Sequence, residues 1–298
     1  MPSAYKVGAF PWGSMMDEGK LRAVALGGLW TALDVVASTG STNADLLARV
    51  GVDPAAPEGQ VLVAEEQTAG RGRLGRTWTS VPGAALTFSV LLRPATVPAS
   101  RRGWLPLLAG VAVASAVRSV TTAGSGGDRG GGDGSVGRVD VVSAVLKWPN
   151  DVLVGDRKLA GILAEQSPDG SAVVVGVGLN VATPAGVLPV SPTGLPATSL
   201  LVEGAPVARE SLLLEVLRQF ERLYAPFRAD PDPVRTGLLD AYRSLCATLG
   251  RTVRVELPVG RFVTGIATGI DPDGRLLVTD HAGNRPLAVS AGDVIHVR

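Results

Sequence analysis

The chain has 298 residues, of which 46% are hydrophobic, and a formal net charge of +1. That length suggests about two domains with ample apolar content for a core, and the near-neutral balance excludes a protein that binds nucleic acid or an acidic surface through bulk charge. A single cysteine, Cys246, excludes an internal disulfide framework, and the two histidines, His281 and His296, have no clustered partner, which argues against zinc and Ser-His-Asp chemistry.

Residues 1–28 show no clear periodicity and read as a loosely ordered tail. No continuous apolar core of a signal peptide is present there. The strongest apolar run, Trp104 to Val117, is shorter than the roughly 20 residues that span a bilayer, so a cytoplasmic protein is expected. Leu33–Val36 reads as a first strand. Ser38-Thr39-Gly40-Ser41-Thr42-Asn43 then precedes helical Ala44–Arg49. Hydroxyls and an amide there suit a helix N-cap, which is the simpler account, and also a ligand at a helix start.

Val61–Glu66 is a strand leading into Gly70-Arg71-Gly72-Arg73-Leu74-Gly75-Arg76-Thr77-Trp78, which packs three glycines, three arginines and a tryptophan into one loop. Glycines allow close backbone approach, arginines match carboxylates and phosphates, and tryptophan offers a stacking face. The formal Gly-x-Gly-x-x-Gly match is weak: no helix-forming sequence follows it, and no acidic residue occurs between Glu66 and Asp128. The acid-free span does place a local positive field around Arg71, Arg73, Arg76, Arg93, Arg101, Arg102 and Arg118.

Leu86–Leu92 is a strand closed by Arg93-Pro94, and Trp104–Val120 is an apolar helix. The Gly-, Ser- and Asp-rich stretch 123–137 cannot bury enough apolar area to offset its ordering entropy and reads as a disordered insertion. Lys147-Trp148-Pro149-Asn150-Asp151 runs into Val152–Val154. Gly155-Asp156 is a hairpin turn, and Arg157–Glu165 returns as a strand. Val-rich Ala172–Val181 reads as a central strand in which Gly176 and Gly178 mark a close approach, with Asn180 at its end. Two amphipathic helices follow, with stripes Leu213, Leu217, Phe220, Tyr224, Phe227 and Leu238, Tyr242, Leu245, Leu249; Cys246 lies in the second as a small core residue. From Arg251 onward short apolar runs alternate with turns and read as a small β-barrel, with the boundary near Leu249-Gly250.

Five separated segments then agree in order: Ser41-Thr42-Asn43, Gln67 to Arg76, Lys147 to Asp151, Arg157 to Leu163, and Gly176-Val177-Gly178-Leu179-Asn180. Together they resemble the biotin protein ligases. The resemblance implies an α+β fold: a mixed sheet with flanking helices, related to class II aminoacyl-tRNA synthetases, over residues 29–249, then an SH3-like barrel over 250–298. It also implies a two-step reaction with ATP and biotin as substrates and Mg²⁺ as cofactor. Biotin is activated to biotinyl-5′-AMP, then passed to a lysine of the biotin carboxyl carrier domain of acyl-CoA carboxylases. No helix-turn-helix is visible, so the monofunctional kind is expected, with no DNA or membrane partner, as a monomer or weak homodimer.

Residue by residue, the resemblance implies that Ser41, Thr42, Asn43, Gln67, Gly70, Arg71, Gly72, Arg73, Lys158 and Gly161 contact biotin, with Arg73 and Lys158 catalytic. Arg76, Trp78, Lys147, Asn150 and Asn180 are expected at ATP, and Asp151 at the metal. The Gly70–Trp78 loop is expected to order over bound ligand. A lipoate or octanoate ligase of the same fold, or a non-catalytic biotin-sensing regulator, is the alternative.

Overall fold

A computed structural model of the chain describes residues 14–124, 141–189, 195–257, 261–280, 285–290 and 293–296. The expected insertion at 123–137 falls, beyond Gly124, outside the described residues.

The larger sheet has seven strands: β1 (Ala32–Thr39), β2 (Gln60–Gln67), β3 (Ala85–Leu92), β4 (Ala144–Lys147), β5 (Asp151–Val154), β6 (Arg157–Gln166) and β7 (Val173–Asn180). Their order is β1-β2-β3-β7-β6-β5-β4. Only β1 and β2 run parallel, and the crossover this demands is helix α2 (Thr42–Val52). The other neighbours are antiparallel, and the β5–β6 turn uses Gly155 at φ 57°, as its sequence suggests.

The two faces of the sheet carry different cargo, because successive side chains alternate. One face takes Val173, Val175, Val177 and Leu179 of β7 into the main core with α3 (Trp104–Gly124), α4 (Arg209–Ala229) and α5 (Leu238–Leu245). The other begins as a small core in which Leu46 and Val50 of α2 meet Leu62, Leu91 and Val174. Beyond α2 this second face turns small and polar. Register aligns Thr87, Gly178, Gly161 and Asp151 in one row across β3, β7, β6 and β5, and Ser89, Gly176 and Leu163 in the next. The site is built on that uncovered half.

Three sequence expectations change. The apolar run ending at Val117 continues as a 21-residue helix to Gly124, long and apolar enough to cross a membrane. It is instead the core helix, with Trp104, Leu105, Leu108 and Val113 fully buried against the sheet and α4. The second amphipathic helix stops at Leu245, where Cys246 turns extended and pairs beside Leu146 of β4.

The loose tail is not loose over residues 14–28. Helix α1 (Glu18–Ala25) is capped by Asp17 and buries Leu21. Its Arg22 donates to Leu33 O at 2.6 Å, and Glu18 accepts from Val35 N at 2.8 Å, so α1 covers the free edge of β1. Met16 N donates to Glu65, which pairs in the interior with Arg209, and Arg209 also donates to Ser14 O. An eight-residue helix with one buried side chain is too short to show a period.

The C-terminal part is a five-stranded antiparallel sheet of β8 (Thr252–Leu257), β9 (Arg261–Ile270), β10 (Leu276–Thr279), β11 (Leu287–Val289) and β12 (Asp293–His296), in the order β11-β10-β9-β8-β12. Among the described residues β11 and β12 do not pair, so the sheet is SH3-like but not a closed barrel. Strands of three and four residues at its two edges are too short to meet. It docks on the β4 edge. Trp148 Nε1 donates to Gly274 O at 3.0 Å, Trp104 Nε1 to Pro272 O at 2.8 Å, and Ala247 N to Leu146 O at 2.8 Å.

Candidate active site

A cavity of about 590 Å³ lies on the uncovered half of the large sheet. Ser41, Thr42, Asn43, Gln67, Arg71, Gly72, Arg73, Arg76, Trp78, Lys147, Asn150, Asp151, Lys158, Gly161 and Asn180, dispersed over 140 positions of sequence, all line it. Gly70 does not. It sits at the base of the loop, where a Cβ would overlap the Trp78 carbonyl, so its role is to let the loop close on itself.

At the inner end, Ser41 caps α2 through Ala44 N and also faces the cavity, so the capping reading and the ligand reading both hold geometrically. Gln67 Oε1 accepts from Thr42 N at 2.8 Å. Ser89, fully buried on β3, lies 2.6 Å from both Thr42 Oγ1 and Asn43 Oδ1. Asn43 Nδ2 faces two pure acceptors, Leu163 O at 3.2 Å and Glu165 Oε2 at 2.8 Å, which fixes its carboxamide. Ser89 must therefore spend its one hydrogen on Asn43 Oδ1, and Thr42, whose hydroxyl also lies 3.0 Å from Gln67 Oε1, donates to Ser89 at the shorter 2.6 Å contact. A directed chain runs Thr42, Ser89, Asn43, Glu165. Ser89 and Glu165 were not singled out from sequence, where a strand serine and a strand glutamate carry no signal.

The glycines of the sheet are accounted for by what rests on them. A Cβ at Gly176 would overlap the Asn43 carboxamide, one at Gly178 would overlap the Trp78 indole, and one at Gly161 would lie 3.2 Å from Trp78 Cζ3. The indole thus lies on bare backbone, with Lys158 Nζ 5.8 Å from its ring centre. The loop that carries it is a tight hairpin: Trp78 N donates to Gly70 O at 2.9 Å and Gly72 N to Arg76 O at 2.7 Å. At its tip Leu74 adopts φ 56° and is 68% exposed.

The remaining wall is cationic. Arg73 donates to Asn150 Oδ1 at 3.1 Å, and Asn150 Nδ2 to Ile162 O at 3.0 Å. Burial holds the Arg73 guanidinium below its ordinary range, Asp151 opposing and Arg76 adding to the shift. Burial does the same to the Lys147 ammonium, helped by Lys158, Arg76 and Arg73 and opposed by Asp151. A site that holds these cations at such cost is shaped for a multiply charged anion. Of the other arginines in the acid-free span, Arg93, Arg102 and Arg118 donate to backbone carbonyls elsewhere and serve the fold.

Asp151 does not fit the metal role expected of it. Lys158 Nζ lies 2.6 Å from its Oδ1 and Lys147 Nζ 3.9 Å from its Oδ2, so two ammonium groups already occupy the carboxylate a metal would need. Among the described residues no group of three His, Cys, Asp or Glu side chains could hold an ion. Asp151 is the counter-ion that holds the two lysines in the wall. Asn180 donates to Thr198 O at 3.0 Å, while its buried Oδ1 has no hydrogen-bond partner.

The C-terminal part contributes Arg251, Glu256, Val294, Ile295 and His296 to the lining, none of them expected at the site from sequence. Arg251 and His296 line the mouth of the cavity. Arginine only donates, so His296 Nδ1, 3.4 Å from Arg251, is an acceptor, and Nε2 carries the hydrogen toward Thr248 Oγ1 at 3.2 Å. Burial, then Lys147 and Arg251, lower the imidazole to a pKa of about 4, so it is neutral at pH 7. Thr248 Oγ1 in turn accepts from Trp148 N at 3.0 Å, which ties β12 to the Lys147–Asp151 turn.

The cavity lacks an activated nucleophile among its described residues. Its chemistry is positioning and charge neutralisation of two bound reactants.

Comparison with known proteins agrees with this geometry. Residues 36–181 match the biotin/lipoate A/B protein ligase family, and residues 248–297 match the biotin protein ligase C-terminal domain. The chain is 44% identical to a biotin–[acetyl-CoA-carboxylase] ligase of Mycobacterium tuberculosis, over 95% of this chain and 96% of that protein. It is 31% identical to the Paracoccus denitrificans protein of the same name, over 84% of this chain and 95% of that one. Its fold superposes with a TM-score of 0.71 and 26% identity on a biotin protein ligase from Aquifex aeolicus solved with biotin and ATP, covering 90% of this chain and all of that one. The chain belongs to the biotin protein ligase family.

Proposed function

We propose that the cavity joins biotin to ATP and then to a carrier lysine. In the first step a biotin carboxylate oxygen attacks the α-phosphorus of ATP, and pyrophosphate leaves, giving biotinyl-5′-AMP. In the second step the amine of a lysine on a biotin carboxyl carrier domain attacks the activated carbonyl. AMP leaves, and the amine loses its proton.

The observation that carries this reading is the convergence of five separated motifs on one cavity with a polar inner end and a cationic wall. Thr42, Asn43 and Gln67 line the inner end, where a ureido ring finds polar partners, and Gly176 and Gly161 let Asn43 and Trp78 pack close to the sheet beside it. Arg71, Arg73 and Lys158 face the biotin carboxylate and offset its repulsion from the triphosphate. Arg76 and Lys147 face phosphate, Trp78 presents its free ring face to adenine, and Asn180 Oδ1 accepts from the nucleoside. Asp151 holds Lys158 and Lys147 in place. Carriers of acyl-CoA carboxylases are the acceptor class, in the cytoplasm, with the protein acting as a monomer or weak homodimer.

Biotin-dependent exchange of labelled pyrophosphate into ATP tests the first step. Exchange that needs biotin and collapses by more than about a hundredfold in Lys158→Ala is expected, the scale of removing one preorganised charge from a transition state. Exchange supported by octanoate or lipoate in place of biotin would move the reading to the related acyl ligases.

A further inference from the structure

Glu165 is an acidic group at the rim of a site built for anions, and the chemistry proposed above does not use it. One carboxylate oxygen, Oε2, is fixed by Asn43 Nδ2 at 2.8 Å. The other, Oε1, faces Arg71 of the glycine-rich loop at 3.5 Å. Both groups keep water access, with side-chain exposures of 26% and 55%. Glu165 also lies with Leu163 in the cleft beneath the loop.

We propose that Glu165 is a positioning residue that latches the 70–78 loop through Arg71 until the carboxylate of the ligand displaces it. The proposal rests on the biotin-ligase reading for the identity of that carboxylate.

Two features of the geometry point this way. Orienting Asn43 does not require a charge, because the neutral carbonyl of Leu163 already accepts from the same Nδ2 at 3.2 Å. A glutamate there adds a negative charge, and among the described residues the cation that meets it at ion-pair distance is Arg71, with Arg73 and Arg76 in the same cleft. The pair is also of the strength a latch needs. It is long and half-solvated, unlike the interior Glu65–Arg209 pair, whose side chains are 0% and 7% exposed. An exposed pair of this kind changes an equilibrium by only about two- to fivefold. An incoming carboxylate gripped two bonds at a time can therefore outcompete it.

The latch also joins the loop to the inner pocket. Thr42, Ser89 and Asn43 form a directed hydrogen-bond chain that ends on the Glu165 carboxylate, which also accepts from Arg71. A ligand that disturbs the inner end and takes Arg71 at the outer end acts on both termini of one network.

The test uses the full chain with and without biotin. Leu74 is exposed even in the closed hairpin, but thermolysin must draw several residues around it into extended form, so cleavage there reads how often the hairpin closed by Trp78 N–Gly70 O and Gly72 N–Arg76 O opens. Glu165→Gln is expected to open it about two- to fivefold more than wild type, and to tighten biotin binding, read by calorimetry, by up to the same factor. In an Arg71→Ala background the same Glu165→Gln change is expected to have no effect on cleavage. Equal cleavage of wild type and Glu165→Gln would overturn the latch. So would a Glu165→Gln effect that persists undiminished without Arg71, which would mean that Glu165 acts only through Asn43. Failure of the wild type to bind biotin would count against the ligase reading, while the comparison of unliganded loops would still decide the latch.

Discussion

Gly178→Ala isolates one steric relation on which the site depends. Gly178 lies within β7 in extended backbone, so alanine meets no conformational strain there. The obstacle is the Trp78 indole, whose Cε2, Nε1 and Cζ2 would all overlap the new methyl group. The central strand is paired on both sides and cannot yield, so the indole must lift.

A tryptophan buries 150–250 Å² when fully enclosed; a half-buried one gives up on the order of 100 Å², worth ~2.5 kcal/mol at about 25 cal/mol/Å². Replacing glycine restricts the unfolded chain and returns about 0.5–1 kcal/mol. The net loss is therefore ~1.5–2 kcal/mol, a fall in melting temperature of about 2–3 °C for a chain of this size. Displacing the ring should also raise the KM for ATP about fivefold, the low end of what base stacking supplies. The decisive assay is a double-mutant cycle read by thermal unfolding. In Trp78→Ala there is nothing to clash with, so Gly178→Ala becomes neutral or slightly stabilising. Equal destabilisation in both backgrounds would refute the steric argument.

Three further outcomes are expected. The folded imidazole of His296 titrates near pH 4, below its ordinary 6.5. Between those values the unfolded chain binds a proton that the folded one refuses, so stability falls as pH drops through this window. Lys147 and Arg251 face the ring with the same sign as its charged form, and Asp156 opposes them. Denaturant titrations of His296→Asn between pH 4 and 7 should show a flatter profile than wild type, and an unchanged slope would remove the imidazole from the account. Ser89→Ala leaves Asn43 Oδ1 without its donor in a buried setting, at about 1–3 kcal/mol, while the Thr42 hydroxyl can still turn to Gln67 Oε1 at 3.0 Å. A KM for biotin that stays at the wild-type value would show that the network does not position the inner pocket. Glu65→Ala strands Arg209 in the interior and releases Met16 and Ser14, for which ~3–5 kcal/mol is expected. Chemical denaturation measures the loss, and a shift under 1 kcal/mol would show that the N-terminal segment is held by other contacts.

The site was legible mainly where the residues are unusual. A loop with three arginines, three glycines and a tryptophan has few structural uses, and Lys147 to Asp151 is as distinctive. Those motifs meet at one cavity. Ser89, Glu165, Arg251 and His296 escaped notice because their residue types are ordinary in strands. Their importance comes from which face of the sheet they occupy and from the register with neighbours. The ion pairing of Asp151 was not foreseen for a related reason. A carboxylate beside an asparagine suggests an oxygen-ligand set, but the partner that decides its role, Lys158, reaches it only through the pairing of β5 and β6.

By itself the sequence determined the strands and helices with strong periodicity, the sheet glycines, and the chemical character of a site that handles anions. These follow from local composition, since hydrophobic alternation and residue type act over a few positions. Tertiary structure alone decided that α1 guards the β1 edge, that the apolar α3 is a core helix, and that the second sheet, open among the described residues, lends Arg251 and His296 to the cavity. It also decided that Trp78 rests on Gly178. Each of these depends on which surfaces meet across long separations in the chain, and no local pattern encodes the partner a side chain finds there.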